Sequence, residues 1–81
     1  MKVIIFSTAT CPYCQMLKDF LKEKNVPFEE KLVDQDSQAK EEMMEKSGGY
    51  LGVPFTLIIR DDGQEEKVVG FDKAKLEQIL T

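Results

Sequence analysis

The hydrophobic residues of this chain fall into short segments, and their spacing changes from one segment to the next. Residues 3–6 form an unbroken, mostly β-branched apolar run, which predicts a strand buried on both faces of a sheet. Pro12 suits the first position of a helix, because its missing N–H would be unbonded there. Apolar residues then recur at helical spacing, at Met16, Leu17, Phe20 and Leu21. Residues 28–33 predict a second strand, and the single helical connection implies that it lies parallel to the first.

The middle of the chain predicts a second helix over about residues 37–46. Ser37 is of a type that caps helix N-termini, and the glycine pair at 48–49 provides a stop. We expect Met43 and Met44 to reach the core. The interleaved acids and lysines of this region are typical of a solvated face.

The last third of the chain predicts a β-hairpin followed by a helix. Phe55–Ile59 is a third strand, and Asp62-Gly63 is a strong turn signal before a fourth strand over residues 66–69. Asp72 is expected to cap a final helix. The buried side of that helix is predicted to carry Leu76, Ile79 and Leu80.

These elements predict the order βαβαββα, an α/β fold with a four-stranded mixed sheet flanked by helices, in a single domain over residues 1–81. The net charge is -4 and the basic residues are scattered among acids, which argues against a nucleic-acid partner. No segment approaches the roughly 20 apolar residues of a membrane span. The first apolar run is too short for a secretion signal, so we expect a cytoplasmic protein, and we expect a monomer.

The candidate chemistry is concentrated in a Cys-Pro-Tyr-Cys motif at residues 11–14, where the first strand meets the first helix. Residues three apart in a first turn lie on one face, so the two Cα atoms can approach the ~5.5 Å that a disulfide needs. Free N–H groups and the helix dipole favour a thiolate at Cys11, and cysteines in such motifs have pKa values of about 3.5–7.5 instead of ~8.5. We therefore expect Cys11 to attack and Cys14, deeper in the helix, to resolve the mixed disulfide.

Other uses of a cysteine pair remain open at this point. Zinc usually takes four ligands, and with two cysteines and no histidine such a site would need a second chain or outside thiols. A c-type haem site needs a histidine where Gln15 stands. A chance pair of core cysteines would leave the proline and the helix start unexplained. Thiol–disulfide exchange is favoured, with no bound metal or organic cofactor.

With these motifs the sequence resembles the glutaredoxins over nearly its whole length. The Cys-Pro-Tyr-Cys motif is similar to the dithiol motif of that family, Val53-Pro54 to the pair before its third strand, and the Gly-Phe-Asp segment at 70–72 to the approach to its last helix. The resemblance implies a thioredoxin-like fold, in agreement with the predicted element order. It also implies a glutathione-dependent oxidoreductase that reduces protein disulfides and glutathione mixed disulfides.

The resemblance further implies a groove for glutathione or a substrate peptide. Val53-Pro54 would be a cis-proline site that presents the Val53 backbone to an extended thiol peptide, with Tyr13 flanking that peptide. The γ-glutamyl end of glutathione would be held at the start of the last helix, by Gly70, Phe71 and Asp72. Asp72 is also compatible with a purely structural role as a helix N-cap. Tyr13 is also compatible with being an ordinary exposed aromatic residue.

Departures from the family pattern bear on the electron donor. Thr8 stands where many glutaredoxins carry a lysine or arginine for the glycyl carboxylate, and residues 50–52 lack the basic residue common before Val-Pro. The Gly70-Phe71 pair is also similar to redoxins that serve ribonucleotide reductase and take electrons from thioredoxin reductase. Such a redoxin is one alternative, and a dimer that bridges an iron–sulfur cluster through Cys11 and glutathione is another. Glutathione as co-substrate is the first expectation.

Overall fold

The strands and helices follow one another in the predicted order. In the computed structural model, which describes residues 1–49, 52 and 54–80, the strands are β1 (Lys2–Ser7), β2 (Glu29–Leu32), β3 (Phe55–Ile59) and β4 (Glu65–Val69). The helices are α1 (Pro12–Glu23), α2 (Ser37–Ser47) and α3 (Lys73–Leu80). The predicted strand ends differ from these by at most one residue, which is within the usual fraying of such boundaries.

The sheet has the strand order β2-β1-β3-β4, so β1 and β3 are central. β1 pairs in parallel with β2, as the single helical crossover predicts, and antiparallel with β3. β3 and β4 form the predicted hairpin, with Gly63 at φ +89° in its turn. The Asp62-Gly63 signal indicated such a turn, because glycine adopts a positive φ without strain. The predicted mixed four-stranded sheet is therefore confirmed.

Side chains alternate across the sheet and build a core on each face. The face covered by α1 and α3 buries Val3, Ile5, Leu17, Phe20, Leu21, Ile58, Val68, Leu76 and Ile79. The face covered by α2 buries Ile4, Phe6, Met43, Phe55 and Leu57. Successive residues of β1 serve opposite clusters, which is why its apolar run is buried without a break.

The N-cap of α2 corrects the sequence prediction. The capping residue is Asp36 and not Ser37, which is the first helical residue. The Asp36 carboxylate accepts the backbone N–H groups of Gln38 at 3.0 Å and Ala39 at 3.3 Å. A charged acceptor satisfies two unpaired donors and complements the positive end of the helix dipole, so the chain starts the helix one residue earlier than a serine cap would.

The buried faces of α2 and α3 are narrower than predicted. Met43 is fully buried, but Met44 is 42% exposed. Adjacent helical residues are separated by about 100° around the axis, so both methionines cannot face one sheet. Leu80 packs against the core only partly buried, while Leu76 and Ile79 are buried as predicted. No helix among the described residues is long and apolar enough to cross a membrane.

Candidate active site

The two cysteines meet at the N-terminus of α1. Cys11 is the N-cap residue, in an extended conformation, and Pro12 takes the first helical position. A disulfide joins Cys11 to Cys14, with their Cα atoms 5.2 Å apart. The Cys11 sulfur also accepts the backbone N–H of Cys14 at 3.1 Å. The first turn thus supplies both the separation that a disulfide needs and a donor for the Cys11 sulfur.

The two cysteines differ in their access to solvent. Cys14 is 1% exposed, whereas Cys11 is half-buried at the helix end. An incoming thiolate therefore reaches Cys11 more readily, and access is one of the factors that set the rate of exchange. The asymmetry supports attack at Cys11 and resolution by Cys14, which stay predictions.

The end of β1, the start of β3 and the approach to α3 meet at one edge of the sheet. The pairing of Phe6 with Phe55 places Ser7, at the end of β1, beside Pro54. Pro54 is fully buried, and its carbonyl accepts the Gly70 N–H at 2.8 Å. Gly70 has a φ of +74°, which favours glycine. The edge that carries the cysteine loop therefore also carries Pro54 and Gly70.

Of the two other residues predicted to line the groove, the structure describes Tyr13 but not Val53. Tyr13 is 61% exposed in the first turn of α1. Val53 lies outside the described residues, as do Tyr50 and Leu51. The Val53 backbone site and the cis bond to Pro54 therefore stay predictions.

Phe71 and Asp72 have structural contacts of their own. The Phe71 ring packs edge-on against Phe20 of α1, with ring centroids 5.9 Å apart. Asp72 accepts the Lys75 N–H at 3.1 Å, which is the predicted cap, and its side chain is exposed. A shallow groove of about 440 Å³ lies between α1 and the start of α3. It is lined by Met16, Asp19, Phe20, Glu23, Phe71 and Lys73.

A polar cluster that the sequence analysis missed joins β1, β2 and α1. The buried Ser7 hydroxyl donates to Glu30 Oε2 at 2.8 Å, and Lys18 Nζ lies 2.9 Å from the same oxygen. The Lys18 ammonium, assisted by the Ser7 hydroxyl, lowers the pKa of Glu30 although burial opposes the shift. The one signal for this cluster in the sequence is a serine at the end of an apolar strand, because its partner lies 23 residues away.

The arrangement at the start of α1 is that of a redox-active disulfide. Within residues 1–49, 52 and 54–80, no three or more His, Cys, Asp or Glu side chains are grouped so as to hold a metal ion. A CxxC pair at a helix N-terminus, with Cys11 half-buried and Cys14 buried, is suited to thiol–disulfide exchange.

The sheet order, the helices and the disulfide define a protein of the thioredoxin-like fold. A crystal structure of a mutant of the thioredoxin-like protein BC3987 has a TM-score of 0.84 and 35% identity, covering 99% of this chain and 100% of that one. The family model described as Glutaredoxin matches residues 3–62, and the chain belongs to the glutaredoxin family.

Individual relatives agree with this assignment. A glutaredoxin-like 8.6 kDa protein in the rubredoxin operon of Clostridium pasteurianum is 40% identical over 76 residues, which is 94% of this chain and 93% of that protein. Glutaredoxin 1 of Rickettsia felis is 47% identical over 57 residues, which is 69% of this chain and 56% of that protein. The chain is thus a thiol oxidoreductase of the glutaredoxin family.

Proposed function

We propose that this chain is a glutathione-dependent oxidoreductase that reduces protein disulfides and mixed disulfides between proteins and glutathione. The observation that carries the proposal is the Cys11–Cys14 disulfide at the N-terminus of α1, with Cys11 half-buried and Cys14 buried. Membership of the glutaredoxin family supports exchange chemistry at this pair. Thiol–disulfide exchange needs no bound metal or organic group, and glutathione is proposed as the co-substrate. The proposal places the chain in the cytoplasm, as a monomer, where protein thiols are kept reduced.

The reaction proceeds through a mixed disulfide. In the reduced protein the Cys11 thiolate attacks a substrate sulfur and expels the other sulfur of that bond. Cys14 then attacks Cys11, which releases the reduced substrate and closes the intramolecular disulfide. The 5.2 Å between the two Cα atoms supports this step, because it lies within the range that a disulfide spans. Two glutathione thiols restore the dithiol and leave as glutathione disulfide.

Glutathione is proposed to lie between Tyr13 and the start of α3. Its cysteinyl backbone would pair with Val53, and its γ-glutamyl carboxylate would meet the free N–H groups at the N-terminus of α3. The hydrogen bond from the Gly70 N–H to the Pro54 carbonyl supports this geometry, because it fixes the approach to α3 beside the start of β3. The exposed Asp72 carboxylate would accept the ammonium.

The glycyl end of glutathione is expected to be held weakly. Thr8 offers no positive charge at the position where the family often has one. A hydrogen bond to a charged group contributes about 1.5–3 kcal/mol, so its absence should weaken binding by about tenfold or more. The proposal is therefore a working glutathione site of low affinity.

The similarity to a thioredoxin-like protein, together with the Gly70-Phe71 pair, favours a second candidate donor, a thioredoxin reductase. One assay separates the two donors. Reduction of a small disulfide is followed with glutathione and glutathione reductase, and in parallel with thioredoxin reductase. Glutathione-driven turnover that Cys11→Ser abolishes is the expected result. Fast turnover with thioredoxin reductase and none with glutathione would assign the chain to the other class of redoxin.

A further inference from the structure

The Thr56 hydroxyl in β3 is buried in the disulfide form of the protein. Thr56 is 0% exposed, and among the described residues its Oγ1 has no hydrogen-bond partner. Leaving a buried hydroxyl unpaired costs stability, so buried hydroxyls in native proteins nearly always have a partner. A valine of the same shape would fill this position without that cost. The hydroxyl therefore requires an explanation in another state of the protein.

The register of the sheet places Thr56 on the face covered by α1. Thr56 lies opposite Ile5 of β1 and Val68 of β4. Both neighbours belong to the core cluster that α1 and α3 cover. Directly opposed residues point to the same face of a sheet, so Thr56 points toward α1 as well.

The direction of α1 brings its first turn over this threonine. A right-handed crossover helix runs antiparallel to the strand before it, and β3 is antiparallel to β1, so α1 and β3 start at the same edge of the sheet. Cys14 is the third residue of α1, and Thr56 is the second residue of β3. Cys14 is 1% exposed, and Leu17, one turn later, packs in the same cluster as Ile5. Thr56 and the first turn of α1 therefore share one face of the sheet and lie toward the same end of it, where Cys14 is buried.

We propose that the Thr56 hydroxyl is a hydrogen-bond donor for the Cys14 sulfur, used when the Cys11–Cys14 disulfide opens. While the bridge is closed, the position of the Cys14 sulfur is fixed by its bond to Cys11. Once the bridge opens, that sulfur carries negative charge and is free to turn toward the sheet. The proposal rests on exchange chemistry at this cysteine pair and does not depend on which thiol is the physiological donor.

Reduction of the Cys11–Cys14 disulfide takes two exchange steps. A thiolate RS⁻ attacks the Cys11 sulfur, an R–S–S–Cys11 bond forms, and the bond to Cys14 breaks with its electron pair leaving on the Cys14 sulfur. That sulfur takes a proton and becomes a thiol. A second thiolate attacks the R sulfur, releases RSSR and leaves Cys11 as a thiolate. A hydroxyl already held in a dry site stabilises the negative charge that develops on Cys14, without the reorganisation that water would need.

The test compares parent and Thr56→Val protein at equilibrium with mixtures of reduced and oxidised glutathione at pH 7. Free thiols are trapped by alkylation, and the reduced fraction is read by mass. The expected result is a shift of about five- to tenfold in the equilibrium constant toward the disulfide, as expected when one hydrogen bond in the dithiol form is lost. Thr56→Val should also make the disulfide form more stable to urea than the parent, because a buried unpaired hydroxyl is removed.

Two variants control the experiment. Thr56→Ser keeps the hydroxyl and should restore the parent equilibrium, even where the lost methyl group lowers stability. Ile58→Val, the next residue on the same face of β3, removes only packing and should destabilise both redox forms equally. A shift of less than twofold for Thr56→Val, or an equal shift for Ile58→Val, would overturn the proposal. Equilibration with glutathione requires no binding site, so failure of the glutathione-turnover assay would not affect this result.

Discussion

The backbone N–H of Gly70 donates to the carbonyl of Pro54 at 2.8 Å, and this bond ties the approach to α3 to the start of β3. Gly70 itself has a φ of +74°, which directs the chain from this bond toward α3. Alanine in that conformation would strain the backbone, and relief of the strain would redirect the chain that enters α3. Because the start of α3 is where the glutathione carboxylate is proposed to bind, the bond links a backbone conformation to substrate affinity.

Gly70→Ala is therefore expected to raise the KM for glutathione several-fold with a smaller effect on kcat. A Cβ at Gly70 would meet nothing within 4 Å among the described residues, so the cost is backbone strain of about 1–2 kcal/mol. Gly63→Ala is the matched control. It has a φ of +89° and equally open surroundings, but it lies in the hairpin turn. Both variants should lose similar stability in urea. Equal KM values for the two would show that the bond to Pro54 does not position the site.

The roles of the two cysteines should be distinguishable when their variants are assayed on two kinds of substrate. Cys14→Ser should keep the removal of glutathione from a glutathionylated protein, since that reaction needs only Cys11 and a second glutathione. It should slow the reduction of a protein disulfide at least tenfold, because the mixed disulfide is no longer resolved from within. Cys11→Ser should abolish both activities. Equal loss for the two variants in the glutathionylated-substrate assay would contradict the assigned roles.

Much of the fold was predictable because local signals agreed with one another. Pro12, the Asp62-Gly63 turn and the apolar run in β1 each fixed an element to within a residue. The local sequence did not show which of two adjacent residues caps α2. Asp36 and Ser37 are both of types that cap helices, and the choice between them depends on the backbone conformation of the preceding turn.

The candidate site was predictable in its motif and not in its surroundings. Cys11 and Cys14 lie in one helical turn, so their relation follows from local geometry. Ser7 and Glu30 meet only through the register of two parallel strands, and nothing local specifies that register. The same limit applies to Thr56, whose unpaired hydroxyl becomes apparent only once both neighbouring strands and α1 are in place.

Glu30 should contribute stability that depends on pH. Because the Lys18 ammonium and the Ser7 hydroxyl lower the pKa of Glu30 in the folded state, its contribution is present above its usual pKa of about 4.3. That contribution is lost as the pH falls through the lower folded value. The free energy of unfolding of the parent should therefore fall more steeply between about pH 5 and pH 3 than that of Glu30→Gln.

Urea unfolding at several pH values measures this difference. Lys18→Met should flatten the acid dependence as Glu30→Gln does, since it removes the main cause of the lowered pKa. The double variant should be no flatter than either single variant, because the two groups act through one interaction. Parallel curves for parent and Glu30→Gln would show that the pair is not stabilising.

Asp72 combines a structural role with a proposed binding role, and the two can be separated. Asp72→Ala removes the cap that accepts the Lys75 N–H and should cost about 1 kcal/mol of stability. Asp36→Ala removes the corresponding cap of α2 and serves as the control. If Asp72 binds the glutathione ammonium, Asp72→Ala raises the KM for glutathione about tenfold. Asp36→Ala, with a similar loss of stability, then leaves that KM unchanged.

A third variant removes the charge of Asp72 and keeps the cap. Asparagine caps helices about as well as aspartate, so Asp72→Asn should keep the melting temperature of the parent within one or two degrees. Its amide lacks the negative charge that attracts an ammonium, so the KM for glutathione should rise nearly as far as in Asp72→Ala. Steady-state kinetics at several glutathione concentrations measure this. A parent-like KM for Asp72→Asn would mean that the carboxylate only caps α3, and that the γ-glutamyl ammonium is bound elsewhere or not at all.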